Sequence, residues 1–487
     1  MSVEKQSPVN IKANVIIIGG GAAGLAAAVS AVEAGAKDVL VVEARRATGG
    51  NGVFPIGIFG AGSHLQRRLG FDAGTDNVFK SAMNYAHWRT NPRLVRALIE
   101  KSGDTILWLE GKGVKFETVI AHYPNQEHLL FHVTSPPTRT GVVIMKAMRK
   151  ACTSLGVSTL CQAKATKILK DKKGNATGVL AKTPQGDINL RGKSIVIATG
   201  GFAGNQEMLN KYTDNYREEE ITQVGLPHKG DGLKLAAAAG AAIENSVTLE
   251  MLGPAYPGPD TIAPVAGKPN TIWVNKHGER FADETISFLF SEGANAIYRQ
   301  PGKVSYTLFD EEIKRNIVRE GLSVIEGLFR GNKPWPGNLE KDLEAEADKG
   351  NVMTGSLDDI AGWMEVSPEV LHSTVDEYNG YCDRGYDEIF AKDRQYLKPL
   401  RTPPYYALRC GIGFVVTHGG IKTSHRMEVL DPLDRPIPGL YAAGVDTGGT
   451  DGETYNVGLS GHSFGFSVNS GRLAGESATA YQTSMGK

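Results

Sequence analysis

An α/β fold is predicted, a Rossmann-like nucleotide-binding domain interrupted by an inserted α+β lobe, on three observations. Residues 15–43, VIIIGGGAAGLAAAVSAVEAGAKDVLVVE, join an apolar run, three spaced glycines, an alanine-rich helix and a second apolar run ending in an acid. From Thr417 a glycine-rich style returns after a long stretch of different character. The chain has 487 residues, 59 of them glycine, enough for more than one lobe and a sizeable core.

Each position of the first motif has its own physical reason. Gly19 permits the tight exit from the strand, Gly21 lets backbone approach a pyrophosphate, and Gly24 lets the helix pack close on the strand. Ala23 lies inside the same turn, where unpaired N–H groups at the helix start attract phosphate charge. Glu43 lies 24 residues after Gly19, at the end of the second strand, where a carboxylate accepts from both ribose hydroxyls and repels a 2′-phosphate. The stretch predicts an adenine dinucleotide cofactor, NAD or FAD alike.

Downstream, ATGGNGVFPIGIFGAG (47–62) is glycine-dense yet apolar, as backbone wrapped against a flat ligand would be; a plain glycine-rich loop is the alternative. Residues 139–170 read as a helix followed by the strands VSTL and ATKILK, and NATGVLAK and SIVIATGG add two more. The segment 230–243 reads as a helix opened by Asp231 and closed by a glycine. Aromatic residues then rise, which places the first part of the nucleotide-binding domain at 1–249, a capping lobe at 250–416 and the second part at 417–487. A helix from about His462 to Gln482 closes the chain. No second GxGxxG appears, so a built-in NAD(P)H domain has no support.

Lys+Arg and Asp+Glu both number 53, which excludes a basic field for nucleic acid or an anionic membrane surface. Residues 1–13 are polar, and the apolar run after them reaches glycine after four residues, too short for a signal peptide or a membrane span. A soluble cytoplasmic protein with no membrane partner is expected. The four cysteines are scattered singly, without the spacing of c-type haem attachment or an iron–sulfur site, and no metal centre is expected.

The ordered set GGGAAG with Glu43, GGN at 49–51, ATGGF at 198–202, GDG at 230–232, NKHGERFADE at 275–284, GG at 419–420, and GLYAAG with a late SGRLAG resembles the fumarate reductase and succinate dehydrogenase flavoprotein superfamily over nearly the whole chain. The superfamily includes soluble fumarate reductases, urocanate reductases, 3-ketosteroid dehydrogenases and ene-reductases acting on plant phenolics, isoflavonoids or steroids. The resemblance implies FAD in a GR2-type domain with an inserted capping domain. It implies that Gly50, Asn51 and the backbone near Gly57 face the isoalloxazine, that Ala165 lies near the adenine, and that Thr199 and Gly200 flank the pyrophosphate. Asp231 of the GDG motif joins the same cofactor set. Where covalently linked relatives carry a histidine after the GG pair, Asn51 stands here, so non-covalent FAD is expected. The family's glutamate after the AAG turn is replaced: Val445 follows Gly444, and Asp446 is expected to serve the ribityl or ribose region instead. The last helix would aim its N-terminus, around His462 and Ser463, at the flavin N1–C2=O edge.

The departures concern chemistry. Fumarate reductases hold a dicarboxylate with two histidines and two arginines, and the corresponding positions here are Phe288, Val416 and a site near Ala255. Two carboxylates buried against such groups would cost several kcal/mol per ion, roughly. Phe288 is therefore expected to line an apolar substrate site. Tyr455, in GETYNVGLSG, resembles the tyrosine with which 3-ketosteroid dehydrogenases polarise a carbonyl; His418 and Tyr256 are further candidate acids, and Asp451 and Glu453 lie close in sequence. The expected activity is hydride transfer from flavin N5 to a neutral, ring-containing substrate, with a protein acid supplying the proton. A dehydrogenase running in the oxidising direction and a non-catalytic electron-relay subunit are the alternatives. The electron donor is left open between NAD(P)H, free reduced flavin and a redox partner.

Overall fold

The computed structural model describes residues 9–71, 73–124, 126–135, 139–213, 221–244, 247–323, 326 and 335–485. Most of the polar leader, expected to carry no targeting signal, lies outside the described residues. Two compact units divide the chain: Met1–Asn215, Gly225–Glu250 and Val416–Lys487 form the first, and Tyr216–Val224 with Met251–Val415 the second.

In the first unit a six-stranded sheet runs in the spatial order Glu428–Leu430, Pro436–Ala442, Ser194–Ile197, Val15–Ile18, Val39–Val42 and Ser158–Leu160. The last five are parallel and the first is antiparallel. Val15–Ile18 is central and buried along its whole length, which is why its sequence is a continuous β-branched run rather than an alternation. The helix Ala22–Glu33 has ten buried residues and correspondingly little polar face. It packs on the final helix, His462–Met485, at backbone distance: a Cβ on Gly471 would meet Ala23 O at 2.2 Å, and one on Gly475 would meet Ala27 O at 2.3 Å. The predicted strands ATKILK and NATGVLAK form Lys164–Lys170 and Ala176–Thr183 of a separate four-stranded sheet. The predicted helix at 230–243 spans Asp231–Ala238.

In the second unit the long strand Tyr405–His418 pairs antiparallel with Ser305–Asp310 and Val352–Gly355. It pairs parallel with Ile221–Gln223. The sequence places 221–223 in the nucleotide-binding part; a three-residue strand 191 positions upstream of the residues it pairs with leaves no local signal of where it pairs. The NKHGERFADE motif is anchored here by charge. Arg280 bonds Glu284 at 2.9 Å and Asp387 at 3.0 Å, and Lys392 reaches Glu284 at 3.0 Å, with all four side chains buried. Among the described residues no helix is long and apolar enough to cross a membrane.

Candidate active site

The first glycine motif forms a phosphate-shaped cradle. Gly19 sits at φ +107°, and a Cβ there would lie 2.1 Å from Ala198 O; a Cβ on Gly24 would lie 1.9 Å from Gly19 O. Gly21 differs, because a Cβ there meets nothing within 4 Å. It is also the N-cap of Ala22–Glu33, with no side-chain cap and no acid in the first turn. Uncapped amides therefore face open space, the arrangement that binds a pyrophosphate. Glu43 stands at the cradle edge and accepts from Gly20 N and Arg45 N, each at 2.7 Å.

The 49–57 loop closes on this cradle. Gly50, at φ +54°, would place a Cβ 3.6 Å from Gly21 Cα, and Gly49 N donates to Gly20 O at 2.9 Å. Asn51 Oδ1 accepts from Leu226 N at 3.0 Å, while its buried Nδ2 has no partner among the described residues. An orphaned donor on this loop fits a flavin ring with acceptor edges, and a carboxamide offers no imidazole nitrogen for a covalent link. Gly57 serves packing, since a Cβ would lie 2.5 Å from the Phe131 ring. Ala23 likewise faces glycines, with Gly444 above it, so it acts in the helix crossing. Ala165 is buried in its strand opposite Ala181. Asp231 pairs with Lys164 at 2.9 Å.

The residues expected at the pyrophosphate and ribityl regions bond to one another. Asp446 is fully buried and accepts from Thr199 N, from Thr199 Oγ1 at 3.1 Å, from Gly200 N at 3.2 Å and from Gly201 N at 2.8 Å. The carboxylate holds the Thr199–Gly201 turn. The turn's own amides are thereby occupied rather than free for phosphate. Thr199 Oγ1 in turn accepts from Gly232 N at 3.0 Å, which ties the turn to the Asp231 helix.

Around the start of the final helix the structure gathers a buried polar constellation. His418 lies between two carboxylates, with Nδ1 3.3 Å from Asp451 Oδ2 and Nε2 3.3 Å from Glu250 Oε2. Asp451 Oδ1 bonds His462 Nε2 at 2.9 Å, and His462 Nδ1 bonds Leu459 O at 3.1 Å. The Tyr455 ring stacks on His462 at 4.2 Å and 22°, and lies 5.3 Å from His418. Its hydroxyl accepts from Ser463 N–H, at the N-terminus of the final helix. Tyr85 OH steadies the segment by donating to Tyr455 O at 3.2 Å. His462 is thus held by Asp451 and Leu459, and the helix-start amide expected to face the flavin is directed at Tyr455. His418, Asp451 and His462 offer ligand atoms within 4.8 Å of one another, a spacing that the hydrogen bonds through Asp451 account for. His418 and Ser463 also line a small cavity with Gly444, Val445 and Thr447.

Burial opposes charge on His418, but Asp451 and Glu250 outweigh it and raise the imidazole from its ordinary 6.5 to about 9. Burial likewise opposes charge on Asp451, yet the two histidines hold it well below the usual carboxylate range. The stability that follows has a definite sign. A raised histidine contributes fully below its unfolded value and loses that contribution as pH rises through the folded one. The thermal midpoint is expected to fall between pH 6.5 and about 9. The change amounts to roughly 3 kcal/mol, at about 1.4 kcal/mol per pH unit. A pH series of melting curves on the protein and on His418→Gln checks this, and the variant should lack the decline.

Tyr256 does not join this constellation. Its hydroxyl donates to Glu346 Oε2 at 2.8 Å, and its ring is part of the second unit's core. A proton-donor role is thus replaced by a structural one, and burial followed by Glu346 pushes the hydroxyl well above its ordinary range. Phe288 ends the short helix Glu284–Phe288 of the second unit, half-buried with its ring 5.7 Å from Tyr396. Glu250 escaped sequence reading altogether. It lies 168 residues from His418, and a glutamate in an apolar strand is its only local sign.

Comparison with known proteins agrees with this geometry. A family model described as "FAD binding domain" matches residues 14–458. The vinyl phenol reductase of Lactiplantibacillus plantarum is 30% identical, with 96% of each chain covered. A probable fumarate reductase of Shewanella frigidimarina is 27% identical, over 96% of this chain and 75% of that protein. In fold, the chain is similar to a 3-ketosteroid-Δ4-(5α)-dehydrogenase from Rhodococcus jostii solved with 4-androstene-3,17-dione. The TM-score there is 0.77 at 23% identity, covering 98% of this chain and 99% of that one. With a glycine cradle of uncapped amides, a neighbouring loop that carries an unpaired donor and a family match over nearly its whole length, the chain belongs to the FAD binding domain family and is a flavin-dependent oxidoreductase of the fumarate reductase type.

Proposed function

We propose that this protein reduces a carbon–carbon double bond conjugated to a phenol or carbonyl on a neutral, ring-containing substrate. One observation carries the reading: the positive charge of His418 is neutralised by Glu250 and Asp451. No positive charge is thereby left over at this constellation to clamp a dicarboxylate, and a free carboxylate would meet two like charges. A neutral oxygen is suited to the hydroxyl of Tyr455. The similarity to a vinyl phenol reductase supports the same substrate class.

Bound FAD supplies the hydride. The residues of the chain supply position and protons. Burial, then Glu250 and Asp451, raise the Tyr455 hydroxyl well above its ordinary value, so it stays protonated at neutral pH. The Ser463 N–H that this oxygen accepts fixes the hydroxyl beside the start of the final helix, where the protonated phenol can serve a substrate oxygen as donor. His418, protonated at neutral pH, is the acid that completes the reduction.

Anaerobic photoreduction bypasses the unknown electron donor and isolates this half-reaction. The oxidised flavin band should return on adding vinyl phenols or conjugated isoflavonoids. Return with fumarate alone would overturn the substrate class, and reduction of an artificial acceptor driven by a 3-ketosteroid would favour the oxidising direction instead. Tyr455→Phe should retain FAD and slow reoxidation at least about tenfold. An unchanged rate would remove Tyr455 from the site.

A further inference from the structure

Glu250 belongs to no motif of the chain, yet it closes one end of the buried hydrogen-bonded series Glu250–His418–Asp451–His462. Of the two carboxylates on His418, Asp451 is sealed in, with 1% of its side chain exposed, whereas Glu250 keeps 16% exposed. The series therefore has one end that water reaches and one that it does not.

We propose that Glu250 is the positioning residue that loads His418 with its proton and returns that proton from solvent after each turnover. The step moves one proton and no electrons. The Nε2–H that Glu250 Oε2 holds at 3.3 Å turns from the carboxylate and its proton leaves to the substrate; Glu250, protonated by hydronium from solvent, then gives that proton to Nε2 and is left as carboxylate. Asp451 is the fixed partner at Nδ1, which keeps the ring oriented throughout.

The charged and titratable groups facing His418 come from three elements. Glu250 comes from the strand Thr248–Ala255, Asp451 and Tyr455 from the loop before the final helix, and His462 from the helix itself. Asp451 is shared with His462, whose other ring nitrogen meets the Leu459 carbonyl. Glu250 is the carboxylate on His418 that is not so shared; Asp451 is the larger influence on that imidazole and Glu250 the second. The raised value of His418 agrees with this arrangement.

This inference rests on the reading of His418 as the acid, and the test separates the two. Histidine-selective nitrogen-15 NMR titration of the FAD-loaded protein reads His418 directly, with the resonance assigned by its loss in His418→Gln. In Glu250→Gln the titration midpoint should drop from about 9 by about one pH unit, a tenfold loss of proton affinity. The alkaline limb of substrate-driven flavin reoxidation should move with it. Glu250→Asp, which keeps the charge, should restore most of both, and it serves where the glutamine variant folds poorly. A midpoint unmoved in Glu250→Gln overturns the proposal. A midpoint that drops while the kinetic limb stays in place upholds Glu250 as the proton-holding partner and overturns His418 as the acid.

Discussion

Gly21→Ala is expected to give a folded chain that no longer retains FAD. The backbone at Gly21, φ −79° and ψ −166°, is open to any residue, and the added methyl group would meet no atom of the protein within 4 Å. The apoprotein should therefore melt within about 0.5 kcal/mol of the parent, as harmless substitutions do. The space it fills is the space in front of the uncapped amides, where a pyrophosphate must come to backbone distance. Forcing that contact apart costs roughly 3 kcal/mol, about a hundredfold in affinity. Flavin content by visible absorbance, beside a melting curve, measures both halves. Gly24→Ala supplies the contrast, since its methyl group would lie 1.9 Å from Gly19 O and must push helix from strand. That variant should lose stability before it loses cofactor. Gly21→Ala purified with its full complement of flavin would remove the cradle from this stretch.

The contrast also marks what could be read from the chain alone. Gly19, Gly21, Gly24 and Glu43 are legible because their task is local: a strand, a turn and a helix contiguous in sequence dictate where each backbone atom goes. Asp446 illustrates the opposite. As a carboxylate beside a flavin-binding turn it promised a cofactor contact, but its partners are amides 245 to 247 residues upstream, brought together by the pairing of Ser194–Ile197 with Pro436–Ala442. Once a carboxylate is buried, the nearest unpaired N–H groups claim it, and sequence does not say which are nearest. Tyr256 was lost in the same way, to a glutamate 90 residues away. His418 was legible as an anomaly in its turn, whereas its charge was not, because charge on a buried imidazole is set by Glu250 and Asp451 rather than by the histidine.

Asp451→Asn is the substitution expected to do the most harm at the constellation itself. The carboxylate accepts from both histidines at once, one on each oxygen. An asparagine of the same shape keeps a single acceptor, and its NH₂ group would face whichever imidazole N–H it cannot serve. His418 would then keep Glu250 as its carboxylate, and His462 would have none. Removing one partner of a buried ion pair costs roughly 3–5 kcal/mol, and denaturant unfolding at neutral pH should show a loss of that order. The same change releases the ring orientation of His418 and lowers its hold on the proton, so flavin reoxidation by substrate should slow by about a hundredfold or more. FAD content should stay near that of the parent, because the cradle at Gly21 and the Asn51 loop are untouched. The pH series tells the two effects apart: lost orientation slows the reaction at every pH, whereas a weakened proton also moves its alkaline limb downward. Parental stability together with a parental rate in Asp451→Asn would mean that the two histidines are held by packing alone, with Tyr455 left as the only proton donor of the site.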